Sequence, residues 1–277
     1  MLDIQPLRDI IKLSLQSCYV KNPPQDCTPV SLLLVAPPEH AKTLTLQTEA
    51  KELILKQKIL YTTDITAHML AEKYLTRIKS KEIRTIVIPD LLNCLQKQRY
   101  TRKSFENFIK SLIEEGIVSI ETAKTYFTSR EPVKCNIITA TTVADFRSFY
   151  NYWKNIGLLS RFLVFSYRYT ELKRKKIFDY ILSKEYENEK PKKEQKNHKI
   201  KTKETAVEWD KDTVQPLVSL AQRISDFYSS QGFRPLKKLI LLAQANALLH
   251  SRKEVTEEDV EKIFELSNWL NFDFNPL

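Results

Sequence analysis

Five short runs of the chain, residues 31–35, 59–62, 85–88, 135–139 and 163–167, contain no charged side chain and are dominated by Leu, Ile and Val. A strand with one wet face alternates apolar and polar residues, so runs of this kind demand burial on both faces. Helical spacing of apolar residues, as over residues 7–15 and 44–57, separates most of them. Strands of that type alternating with helices specify a mostly parallel sheet flanked by helices, an α/β fold. Beyond residue 206 the strand signal stops. Residues 214–228, 236–250 and 257–270 follow helical periods, with Thr256 as N-cap of the last and Glu257, Glu258 and Asp259 at the positive end of its dipole. The expected organisation is an α/β core over residues 1–170, a helix and basic linker over 171–206, and a helical subdomain over 207–277.

The net charge is +10, and residues 173–206 supply more than half of it. Residues 172–186 hold enough apolar side chains for a helix, whereas 187–205 hold almost none and read as an exposed, mobile linker. A basic balance favours an anionic partner, nucleic acid first and a membrane surface second. Membrane contact is disfavoured: no apolar run approaches the ~20 residues of a span, and no basic helix is expected to carry a wide exposed apolar face. The first fifteen residues mix Asp3, Arg8 and Lys12 into apolar positions, unlike a secretory signal. Cys18, Cys27, Cys94 and Cys135 have no paired spacing, so neither a disulfide framework nor a zinc site is indicated, and a cytoplasmic location is expected.

The segment Ala36-Pro37-Pro38-Glu39-His40-Ala41-Lys42-Thr43 follows the first buried run and precedes a helix. A phosphate-binding loop, G-x-x-x-x-G-K-[S/T], belongs at such a place. Lys and Thr stand at the required spacing, but both glycines are alanine. In that chemistry Lys42 neutralises β and γ phosphates, the Thr43 hydroxyl ligates Mg2+, and backbone amides at the helix start hold the phosphates. An alanine forced to positive φ costs about 1–2 kcal/mol, which weakens such a loop without forbidding it. The third buried run ends in Pro89-Asp90, where Asp90 reads either as a carboxylate supporting the metal shell or as the cap of the next helix. Leu91 follows, where a water-activating Glu often sits.

Further along, Glu114-Glu115-Gly116 closes a helix, a hairpin is expected from 117–120 and 126–128, the run 135–139 ends near Thr141-Thr142, and Gly157-Leu-Leu-Ser-Arg161-Phe162 introduces the last strand. This order resembles the AAA+ ATPases, most closely the branch of minichromosome maintenance helicases and enhancer-binding activators. The helical end, with Phe233-Arg234-Pro-Leu and 243–260, is similar to the lid of those proteins. The resemblance covers nearly the whole chain outside the linker. It implies a P-loop NTPase core with an all-helical lid, and ATP with Mg2+ bound at Pro37–Thr43, Thr43 and Asp90 serving the metal. It further implies a γ-phosphate sensor at Thr141 or Thr142, an arginine finger at Arg161 acting on a neighbouring subunit, and a second sensor at Arg234. A ring-like homo-oligomer follows from the finger, which on this reading is solvent-accessible in one subunit.

His40, His68, His198 and His250 are too scattered for a metal site. Phe146, Phe149, Tyr150, Tyr152 and Trp153 interleave with Arg147 and Lys154, and either stack on single-stranded bases or pack between core and lid. Two functions stand. One is an oligomeric ATPase acting on DNA, with Lys124, Arg130 and Lys134 near the hairpin tracking phosphates and Asp64 or Glu39 replacing the missing Glu. The other is a catalytically impaired module of the same fold that serves as a DNA- or protein-binding assembly factor.

Overall fold

A computed structural model describes residues 4–121, 125–183, 199–228 and 230–277. In chain order the elements are α1 (Gln5–Ser17), β1 (Leu32–Val35), α2 (Lys42–Leu55), β2 (Ile59–Tyr61), then α3 (Ala67–Met69) and α4 (Leu75–Lys79) joined by a wider helical turn. Next come β3 (Thr85–Ile88), α5 (Leu91–Leu95), α6 (Arg99–Lys110), the hairpin β4 (Ile117–Glu121) and β5 (Tyr126–Val133), β6 (Asn136–Thr141), α7 (Val143–Asn155) and β7 (Leu163–Ser166). The remainder is helical: α8 (Glu171–Leu182), α9 (Lys211–Val214), α10 (Leu217–Tyr228), α11 (Phe233–Leu249) and α12 (Glu257–Leu266).

The five buried runs form one parallel sheet in the order β2-β3-β6-β1-β7. All four residues of β1, β3 and β7 are buried, as their uniform apolarity requires. Helices flank the sheet. The register fixes two edges: Leu32, opening β1, pairs with Ile138 and Leu163, while Val35, closing it, pairs with Thr141 and Ser166. In open α/β sheets ligands bind outside the carboxyl ends of the strands, so the edge after Val35, Ile88 and Thr141 is the one to search first. The hairpin β4–β5 is antiparallel and separate from the sheet.

Two expectations about the basic stretch are corrected. Residues 199–205 do not lie free: Lys21 N and Thr205 O, and Thr205 N and Tyr19 O, bond at 2.9 and 3.0 Å, and the Glu204 carboxylate pairs with Lys81 and Arg84, both at 2.8 Å. Those pairs hold Glu204 down at a pKa of about 2. Residues 184–198 lie outside the described residues. The second correction concerns α8, which buries no residue and leaves Leu172, Phe178, Ile181 and Leu182 exposed beside Lys173, Arg174, Lys175 and Lys176. α8 is thus a basic helix with exposed apolar side chains, a feature not foreseen from the sequence, and among the described residues no helix is long and apolar enough to cross a membrane.

The aromatic run of α7 packs inward. Phe146 and Trp153 are buried, Phe149 stacks on Trp153, Phe272 meets Phe146, Tyr150, Phe227 and Tyr228, and Tyr150 Oη donates to Phe227 O at 2.9 Å. Packing against the later helices and the 271–277 segment accounts for these rings.

Candidate functional site

Between β1 and α2 the chain turns through two left-handed residues, Glu39 (φ 62°) and Ala41 (φ 54°). Ala41 occupies the second glycine position of the phosphate-loop pattern, the place where positive φ favours glycine. The backbone keeps the turn that the motif needs and accepts the cost, about 1–2 kcal/mol, of an alanine in it. Ala41 opens α2 with no side-chain cap, and no acidic residue stands in the first turn. The amides of Lys42, Thr43 and Leu44 have no carbonyl four residues back within the helix, so this end favours an anion.

Lys42 is half-buried and folds back on the loop, its Nζ donating to Ala36 O at 2.6 Å and Pro37 O at 2.8 Å. Burial pulls its pKa down to about 8, while the Asp90 and Asp145 carboxylates act in the opposite direction. Thr43 is exposed one residue further on. His40 is fixed from the segment just after β7: Tyr167 Oη donates to His40 O at 2.5 Å, and the His40 ring stacks on Tyr169 with centroids 4.3 Å apart. Burial lowers the His40 pKa, favouring the neutral ring. Pro37 is half-buried; Pro38 and Glu39 are exposed.

Asp90 follows β3 and N-caps α5, its Oδ1 accepting from Leu92 N at 3.0 Å. Thr141 and Thr142, which the sequence leaves equivalent, differ in the structure. Thr142 caps α7 and is occupied with Asp145, whereas Thr141 ends β6 with its Oγ1 buried and without a partner among the described residues. Lys42, Asp90, Thr141 and Asp145 thus gather at the carboxyl ends of β1, β3 and β6. Leu91 is fully buried, and Asp64 is engaged by Lys97 at 2.6 Å.

Arg161 and Arg234 do not join this group. Arg161 precedes β7 at the opposite edge of the sheet, separated from the loop by the length of β1, about 13 Å. Its side chain is only 13% exposed: Nε lies 3.2 Å from Glu114, Nη2 contacts Glu115, and Nη1 donates to Gly157 O at 2.6 Å. The expected accessible finger is therefore not what this subunit presents. Arg234, opening α11, pairs with the same Glu114 and reaches Ser160 Oγ at 3.3 Å. Lys238 completes the cluster, donating to Ser160 O and Arg161 O at 3.1 and 2.7 Å, its pKa drawn down to about 8 by burial. One carboxylate shared by two guanidiniums draws Arg234 away from the phosphate loop of its own chain.

The groups at this edge that could hold a magnesium triphosphate are the Lys42 cation, the uncapped start of α2, the exposed Thr43 hydroxyl and the Asp90 carboxylate, whose Oδ1 already caps α5. A phosphate would replace the loop carbonyls that now receive Lys42. Among the described residues no three His, Cys, Asp or Glu side chains come together as a ready-made metal site. Sequence reasoning missed Asp145, Tyr167 and Tyr169. Only Asp145, three residues after Thr142 in a capping pattern, left a local signal. The chain matches no protein-family model and no curated protein.

Proposed function

We propose that the protein is a nucleotide-binding ATPase-type module of the AAA+ kind, acting on DNA as a homo-oligomer. The observation that carries this reading is the left-handed Ala41 turn delivering Lys42 to the same strand ends as Asp90 and the unpartnered Thr141 hydroxyl. Lys42 and the first amides of α2 would hold the β and γ phosphates of ATP, Thr43 and Asp90 would serve Mg2+, and Thr141 would meet the γ-phosphate. The helices from residue 207 onward would form the lid. Arg161, only 13% exposed, and Arg234 share the Glu114 carboxylate, and as finger and second sensor they would serve the nucleotide of a neighbouring subunit only once freed from Glu114 and Glu115. Arg130, exposed on β5, and Lys134 remain the hairpin cations for phosphates, while Lys124 lies outside the described residues.

A second reading, a module that binds ATP and assembles without turning it over rapidly, has its own support. Leu91 is apolar and buried where a general base would stand, and Asp64 is held by Lys97. A titration with a fluorescent ATP analogue, followed by phosphate-release kinetics, separates the two. Saturable Mg2+-dependent binding that Lys42→Ala abolishes supports both readings, and turnover supports the first. Equal binding by wild type and Lys42→Ala removes the nucleotide reading.

A further inference from the structure

Helix α6 begins at the edge of the sheet that holds the phosphate loop, because the chain reaches it from Asp90 through α5. It ends near the opposite edge, where Cys135 N donates to Leu112 O just beyond it. Its inner face is buried through Phe105, Ile109 and the carboxylate of Glu106, which accepts from Tyr152 Oη at 2.7 Å. Its start is unusual for this molecule. Arg99, Tyr100 and Lys103 are all exposed, Tyr100 to 86%, the highest value among the large hydrophobic side chains. Arg102, half-buried, lies over the Tyr152 ring with its guanidinium 5.8 Å from the centroid, and its Nε is buried without an acceptor among the described residues.

Several cations elsewhere pair with carboxylates, as Arg8 and Lys12 do with Glu49 and Arg252 with Asp259, while others, Arg130 and Arg147 among them, form no ion pair among the described residues. Among the described residues no carboxylate lies within 4.0 Å of Arg99, Arg102 or Lys103. The first turn of α6 also contains no acidic residue, so Arg99 and Arg102 stand at the positive end of a helix dipole, where cations are disfavoured, and Lys103 follows at the start of the second turn. An arrangement of unanswered guanidinium and ammonium groups beside a bare aromatic ring matches the needs of a partner that offers phosphates and planar faces together.

We infer that the start of α6 is a contact surface for single-stranded nucleic acid, with Tyr100 stacking on a base and Arg99, Arg102 and Lys103 receiving phosphates. Duplex DNA offers the phosphates but keeps its base faces stacked, so the exposed ring selects the single strand. This inference rests on the nucleic-acid reading given above and assigns it to a surface separate from the β4–β5 hairpin.

The test measures fluorescence anisotropy of labelled oligothymidylate, and of a duplex of equal length, between about 50 and 200 mM salt. Arg99→Ala with Lys103→Ala should flatten the slope of log affinity against log salt on the single strand by about 1.4, at ~0.7 per lost phosphate contact. Tyr100→Ala should lose about five- to a hundredfold on the single strand and much less on the duplex. All three side chains are exposed, so unchanged thermal melting should accompany both variants. An Arg130→Ala with Lys134→Ala variant serves as comparator. If the wild type binds no strand at low salt, both the nucleic-acid reading and this surface are wrong. If it binds and only the hairpin variant loses affinity, this surface alone is wrong. Equal loss on both probes by Tyr100→Ala, or competition by polyglutamate as effective as by oligothymidylate of equal charge, also overturns it.

Discussion

The two edges of the central sheet hold comparable charges and treat them in opposite ways. At the carboxyl ends of the strands, among the described residues, Lys42 donates to two loop carbonyls and Thr141 Oγ1 has no partner. At the amino ends, Arg161, Arg234 and Lys238 are closed over Glu114, Glu115 and the carbonyls of Gly157, Ser160 and Arg161. Both edges even contain a lysine lowered to a pKa of about 8 by burial. The difference lies in the counter-charge. At one edge the Asp90 and Asp145 carboxylates stand near Lys42 with no direct ion pair among the described residues, and at the other Glu114 and Glu115 close on the guanidiniums.

The largest effect should come from opening the closed edge. Glu114→Ala leaves two guanidiniums without their shared carboxylate and should lower unfolding free energy by about 2 kcal/mol in urea titration. That falls short of the roughly 3–5 kcal/mol for breaking a fully buried pair, because Glu114 keeps 24% exposure. Lys42→Met at the open edge breaks no ion pair and should be close to neutral. If Lys42→Met proves the more damaging of the two, the comparison is inverted.

Acidity sharpens the contrast next. A lysine whose folded pKa is about 8, against 10.5 in the unfolded chain, is a site where the unfolded state binds more protons between those values. Stability owed to Lys42 and Lys238 therefore rises with pH across that window and is unaffected below it. Measured by melting, wild type should therefore gain stability relative to Lys42→Met and to Lys238→Met from pH 8 upward. ATP binding should follow the opposite course at one residue only. Affinity should hold below pH 8 and fall by up to about tenfold per pH unit above it as Lys42 loses its proton, while Lys238→Met leaves that profile unchanged. A profile that moves with Lys238 would place the phosphates at the wrong edge.

The smallest effect is backbone strain. Ala41→Gly relieves an alanine at φ 54° and should stabilise by about 0.5 kcal/mol, the strain relief being partly offset by greater unfolded-chain entropy. Ala36→Gly occupies the other glycine position without a positive φ and should destabilise by about 0.5–1 kcal/mol. Matching signs in the two variants would show that the loop is not turned as described.

The sheet was legible because wholly apolar runs such as Leu32–Val35 and Thr85–Ile88 can satisfy themselves only between two covered faces. Lys42, Thr43 and Asp90 were legible because the loop's spacing and the strand's end are local facts. Thr141 and Thr142 were not separable from sequence, since either can end a strand, and only the capping bond to Asp145 assigns them different work. The closed edge was illegible for another reason. Arg161 and Glu115 lie 46 residues apart, and Arg234 and Ser160 lie 74 apart; no local pattern announces such partners. Tyr167 reaching His40 across 127 residues is the same case. The exposure of α8 was missed because Ile177, Phe178 and Ile181 have helical spacing whether or not anything covers them.

Hydrogen–deuterium exchange with and without Mg2+-ATP tests the division of the two edges most directly, because it reads both in one sample. The account predicts slowed exchange at residues 38–45 and around Thr141 and Thr142 on adding nucleotide. At concentrations too low for assembly, residues 157–162 and 233–238 should remain unchanged. Protection of the Arg161–Arg234 cluster in the single subunit, with none at the loop, would contradict it.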